Sequence, residues 1–118
     1  MSYRPVKEKI AKVYMNECGQ EKTYYVFPFI SGESLINNAD SEVVSAIRAK
    51  DSPFIVCHSG KERETETYRI NAYFIVKIEN EMVKVPEGII GKYEPAENES
   101  EEDKEKRETA VKNYFEIR

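Results

Sequence analysis

Between Ile10 and Pro86 several runs rich in β-formers alternate from one face to the other, and past Lys92 that pattern gives way to charge. Alternation of this kind suits strands that turn one face to a core and the other to water, so residues 1–92 are expected to form a β-rich globular domain. The run from Glu94 to Glu108 holds eight acids and three bases, a net of −5, while the whole chain of 118 residues carries −4. That leaves about +1 for everything else, so the acidity belongs to one segment and not to the body. A body of this size can bury one modest core, which seldom leaves room for a deep, fully walled substrate cavity.

The first strand is expected at Ile10–Met15, followed by a turn centred on Gly19 and a second, aromatic strand, Thr23–Ile30, to make an antiparallel hairpin. Pro28 cannot donate to a ladder, which places that end at a sheet edge or bulge. Residues 31–34 and Asn37-Asn38 read as loops. Asp40 or Ser41 can cap a short helix over 41–50, whose Val43, Val44 and Ile47 fall at helical spacing. Pro53 then opens a strand at Phe54–His58. A polar turn with Gly60 leads into a returning arm, Thr67–Ile78, long enough to need a bend at Asn71-Ala72, and Asn80-Glu81 turns into a last strand at Met82–Pro86.

Residues 93–99 read as an acidic linker and 100–118 as a charged C-terminal helix, with Ser100 and Asp103 in capping-box positions. Ala110, Val111, Tyr114 and Phe115 place an apolar patch on its last turns, able to dock on the body, on a second copy or on another protein. A terminal strand over 111–117 is the alternative, disfavoured by Asn113 at an inward position.

The residues that could carry chemistry are few. Cys57 and His58 are adjacent, but neighbours on a strand point to opposite faces, and His58 is the single histidine, so a nucleophile–base pair is not expected there. Glu62, Glu64 and Glu66 sit among Lys61, Arg63 and Arg69 and read as a solvated or cross-strand charged surface. The tail acids lack the spacing of a calcium loop. Cys18 and Cys57 have no Cys-x-x-Cys partner, so neither a metal site nor a cofactor is expected, and a disulfide would require close approach of their Cα atoms. On the aromatic strand Tyr25, Phe27 and Phe29 share one face and Tyr24, Val26 and Ile30 the other. The first set is expected to join Val13 and Ile55 in the core.

The segment Ile70–Glu79, of the form Ile-Asn-x-x-x-Ile-x-x-Ile-Glu, resembles a stretch of flagellar FlbD-like proteins and other small SH3-like or Sm-like barrels. The resemblance covers about ten residues and implies a small barrel, with nothing transferred about function. The expected fold is therefore mainly β (α+β): a small antiparallel sheet or a partly open SH3/Sm-like barrel with one inserted helix and a charged C-terminal helix. The expected function is a non-catalytic protein-binding, inhibitory or accessory module, of the compact acidic-tailed form found in phage and mobile-element proteins. Its partner-binding residues would be Tyr24, Tyr25, Val111, Tyr114 and Phe115, and its partner another protein or a second copy. A barrel that stacks single-stranded nucleic acid on the aromatic strand of Tyr24, Tyr25, Phe27 and Phe29, beside Arg4, Lys7, Lys9, Lys12 and Lys22, is the alternative, weakened by intervening acids and the nearly neutral body, and a small enzyme is the third reading. With no apolar run of signal-peptide or membrane-span length, the protein is expected in the cytoplasm, away from membranes.

Overall fold

The computed structural model describes residues 4–31 and 34–116; Met1 to Tyr3, Gly32 and Glu33 of the expected loop, and Ile117 and Arg118 of the expected helix lie outside the described residues. The fold is α+β and mainly antiparallel sheet. Five strands, β1 (Lys7–Glu17), β2 (Gln20–Val26), β5 (Phe54–His58), β6 (Thr67–Asn71) and β7 (Ile75–Lys84), form one sheet in the order β6-β5-β2-β1-β7. A small hairpin, β3 (Phe29–Ser31) and β4 (Ser34–Asn37), and the helix α1 (Ala39–Arg48) are inserted between β2 and β5, and two more helices, α2 (Glu87–Ile90) and α3 (Glu101–Phe115), end the chain.

β1 and β2 are joined by a tight turn in which Cys18 and Gly19 both have positive φ, 50° and 85°, as a type I′ hairpin turn requires. The Asn16 carboxamide oxygen accepts from Gly19 N at 3.0 Å and fixes that turn. This sets the register, with Val13 opposite Tyr24 and Ala11 opposite Val26. Opposed residues share a face, so Tyr24 and Val26 join Val13, Met15, Ile55, Cys57 and Ile70 in the main core, under Ala39, Val43 and Ala46 of α1. The expected core face is thereby corrected. Tyr25 and Phe29 are half-buried, and the Phe27 ring is buried instead against His58 and Arg63, at 4.7 and 5.0 Å between ring centroids and from guanidinium to ring.

Three boundaries also move. Asn38, not Asp40 or Ser41, caps α1, its side chain accepting from Ser41 N at 2.8 Å; the helix then starts at Ala39, which turns Val44 and Ile47 outward. Asn80-Glu81 is no turn, because the 11-residue β1 offers β7 a ladder through both, with Asn80 opposite Ala11 and Glu81 opposite Ile10. Residues 34–37, read as part of a loop region, pair with β3.

The bend at Asn71-Ala72 is a 3-10 turn, Ala72–Phe74, started by Asn71 Oδ1 accepting from Tyr73 N at 3.0 Å. It carries the chain from one edge of the sheet to the other. Five strands laid flat would separate those edges by roughly 19 Å, whereas three residues of 3-10 helix span only about 6 Å. The sheet must therefore curl strongly, yet among the described residues no ladder joins β6 to β7, so it remains an open sheet and not a closed barrel.

A second core forms where Ile30, Val85 and Tyr93 meet Tyr114 and Phe115 of α3, with Ile89, Ile90 and Val111 packed on it. Ser100 caps α3 by accepting from Asp103 N at 3.1 Å. Arg107 ties the start of the helix to the segment before it, donating to Glu99 Oε1 at 2.7 Å and to the Lys92 carbonyl at 2.8 Å. Tyr93, inside the expected linker, is buried and donates its hydroxyl to the Pro5 carbonyl at 2.8 Å.

Candidate functional site

The densest polar constellation of the molecule lies inside it. Arg63, read from the sequence as part of a charged surface, is 0% exposed. The loop 59–66 folds back on itself to deliver it: Ser59 N donates to Glu66 O, and the Thr65 hydroxyl donates to Glu62 O at 2.6 Å. A Cβ on Gly60 would stand 3.0 Å from Thr65 Cγ2, which is why the tight side of that loop carries no side chain. From there the Arg63 guanidinium forks onto the Glu8 carboxylate, Nε to Oε2 at 3.2 Å and Nη2 to Oε1 at 2.8 Å. It also donates to the carbonyls of Pro28 at 3.0 Å and Phe115 at 3.1 Å. The rings of Phe27 and Phe115 lie against it at 5.0 and 5.6 Å.

One side chain thus joins β1, the chain leaving β2, the 59–66 loop and the last turn of α3. A cation at a helix C-terminus meets the negative end of the helix dipole, and the planar fork satisfies a carboxylate and two carbonyls that would otherwise be buried without donors. Sequence reasoning missed this residue because its neighbours Glu62 and Glu64 are solvated, and local composition describes the neighbours. A signal was available in Glu8, which falls on the same strand face as Ile10: a charge beside an apolar residue on a long strand needs a partner if that face is covered.

Cys57 and His58 point to opposite faces. Cys57 is in the main core, where burial pushes its thiol up to about 12, and Cys18 is exposed in the hairpin turn; both are unpaired. A thiol held so far from ionisation is a poor nucleophile. His58 packs edge-on against Phe27, with Nδ1 unpartnered. Burial, and secondarily the charge of Arg63, hold its pKa below the usual 6.5 against an opposing hydrogen bond to the Thr65 backbone. The native imidazole is therefore neutral at pH 7. Below pH 6.5 the unfolded chain takes up a proton that the folded one refuses, so stability is expected to fall as pH drops from 6.5 toward the lower folded pKa, and to be flat in this respect above 6.5. Denaturant unfolding at neutral and mildly acidic pH checks this, with His58→Gln expected to lose that part of the slope.

The five residues expected to bind a partner are not brought together. Tyr114 and Phe115 are buried in the second core, Val111 packs against it, and burial raises the Tyr114 hydroxyl to about 12. Tyr24 leans on the main core with its ring tilted against that of Tyr68, 5.6 Å between centroids, while Tyr25 lies on the opposite face of the sheet. That opposite face is polar around Tyr14 and Glu81. Tyr14 donates to Glu79 Oε2 at 3.0 Å, with Lys12 and Lys77 over its ring at 5.2 and 5.1 Å, and Lys61 pairs with Glu81 at 2.9 Å. Elsewhere Val76, Ile78 and Met82 of β7 and Leu35, Ile36, Val44 and Ile47 around α1 are exposed. An open groove of about 380 Å³ runs between α1 and β5, walled by Glu42, Ser45, Phe54 and Arg69. Among the described residues no three potential ligands cluster for a metal ion, and no helix is long and apolar enough to cross a membrane.

The sequence is 35% identical to virion protein 6 of Enterococcus phage phiEF24C over 118 residues, which is the full length of both chains. The chain belongs to the family of that protein. The match runs from end to end, so it spans the residues of the acidic segment and α3 as well as those of the sheet. No family model matches the sequence, and no solved structure matches it.

Proposed function

We propose that this chain is a non-catalytic component or accessory protein of a phage particle, and that it acts by binding protein. The observation that carries this reading is the full-length relation to a protein named for the virion. The arrangement of the chain supports it. Its most elaborate polar network is consumed in holding the fold together, while exposed apolar side chains on β7, β4 and α1 remain available for contact. Tyr114 and Phe115 serve a partner indirectly in this reading, by fixing α3 so that Glu101, Glu102, Glu105 and Glu108 face outward as an acidic rim. Tyr24 with Tyr68 on one face, and Tyr25 on the other, are direct contact candidates.

Nucleic acid suits the surface less well. The lysines around Tyr14 are offset by Glu79 and Glu81, and a surface that follows phosphates needs an excess of positive charge. Membership of a virion family also favours the particle over the cytoplasm as the place of action. Particles purified by density gradient and analysed by quantitative mass spectrometry are expected to contain the chain at a fixed copy number. Its presence only in the lysate of infected cells, and never in particles, would overturn the assignment.

A further inference from the structure

We propose that β7 pairs antiparallel with β7 of a second copy of this chain about a two-fold axis at Asn80, which joins the two sheets into one. The inference deepens the particle reading above and rests on it for the expectation that this protein assembles with protein.

Val85 N donates to Val6 O at 2.9 Å, continuing the β1–β7 ladder. Alternate residues of an antiparallel strand bond to the same neighbour, so Val83, Glu81 and Glu79 also turn their amides and carbonyls toward β1. Those of Ile78, Asn80, Met82 and Lys84 then point away from the sheet, where no strand pairs with them among the described residues. The irregularity at Tyr14/Met15 ends this regular edge near Lys77. Natural edges are commonly protected by shortness, proline, bulges or charge, and on β7 the charges of Lys77, Glu79 and Glu81 share one face while Ile78, Asn80 and Met82 hold the other. This one is ten residues long, has no proline, and exposes Val76 at 67% and Met82 at 60%.

Side chains choose the occupant. A strand that pairs with this edge must place its own outward residues opposite Ile78, Asn80 and Met82. With β7 itself as partner, centring on Asn80 sets Ile78 against Met82 twice and Asn80 against Asn80, apolar on apolar around a polar centre. Centring on Glu81 would instead put two carboxylates on the axis and Ile78 against Lys84. In the Asn80 register Glu79 lies opposite Glu81 of the second copy, but each already has a lysine, Lys77 at 2.8 Å and Lys61 at 2.9 Å. Lys77 then falls diagonal to Glu81 of the second copy, within reach of a further ion pair. Three outward pairs exchange about six hydrogen bonds.

Sedimentation and hydrogen exchange over a concentration series test this on the full chain. A dimer is expected, and as it forms the amides of Ile78, Asn80 and Met82 should slow while those of Glu79, Glu81 and Val83 stay protected at every concentration. Asn80→Pro removes an outward donor without touching the β1 ladder and should raise the dissociation constant on the order of tenfold or more. Met82→Lys, on a side chain exposed in the monomer, should do the same while leaving the melting temperature of the dilute, monomeric protein unchanged. A monomer at all concentrations, a dimer indifferent to both variants, or protection of these amides only on adding another virion protein would overturn self-pairing. A monomer that is nevertheless present in purified particles would overturn it while leaving the particle assignment in place.

Discussion

Replacing Arg63 with alanine is expected to destabilise the fold by about 3–5 kcal/mol, the cost of leaving a buried carboxylate without its counter-charge. Glu8 would be stranded at 2% exposure, and the carbonyls of Pro28 and Phe115 would lose their donor. Domains of this size have only about 5–15 kcal/mol in total, so the variant should be partly unfolded at moderate temperature. Arg63→Lys should rescue little, since a point charge cannot fork onto Glu8 and reach two carbonyls as well. Removing both charges together, as in Arg63→Met with Glu8→Leu, should recover much of the loss, because the desolvation of both ions disappears with them. Denaturant midpoints of the single and double variants measure this. An Arg63→Ala protein as stable as the wild type would mean that the guanidinium is solvated and the network absent.

Phe115→Ala is expected to cost a similar amount, roughly 3–5 kcal/mol, through lost burial and the cavity left between α3 and the body. Phe115 is 2% exposed, packs edge-on to Tyr114 at 5.1 Å and lies over the Arg63 guanidinium, so its removal loosens the hub as well as the second core. Double-mutant analysis with Arg63 should therefore show the two losses to be non-additive, since the residues touch. Unfolding monitored separately by helix and tyrosine signals should remain one transition. A Phe115→Ala variant that melts with the wild type would place the end of α3 in solvent.

How much of this was legible in the sequence depends on the range of the interaction. The antiparallel character, the 3-10 bend at Asn71-Ala72, the Ser100 cap and the apolar end of α3 are local, written in alternation, capping chemistry and helical spacing. The face on which Phe27 lies was not, because it depends on a hairpin register that two residues, Cys18 and Gly19, fix by their positive φ. The choice left open between a sheet and a partly open barrel turned on closure: β6 and β7 are only three residues apart, yet among the described residues no ladder joins them, and local sequence does not encode that. Arg63 was least legible. Its partners lie 55, 35 and 52 positions away, and the residues beside it advertise a solvated turn. The candidate contact surfaces shared this difficulty: Val111, Tyr114 and Phe115 look adhesive in isolation, and the sequence leaves open which surface they adhere to.

Residue-resolved hydrogen exchange on the isolated full chain tests most directly whether the acidic C-terminal segment is a wall of the fold, which would leave protein contact to the sheet edge and outer faces. The amides of Tyr114, Phe115 and Glu116, the last bonded to the Lys112 carbonyl at 3.1 Å, are expected to be protected in the free protein and to lose that protection in Arg63→Ala. Exchange of these amides at random-coil rates in the wild type would contradict it and return the tail to the role of a free binding arm.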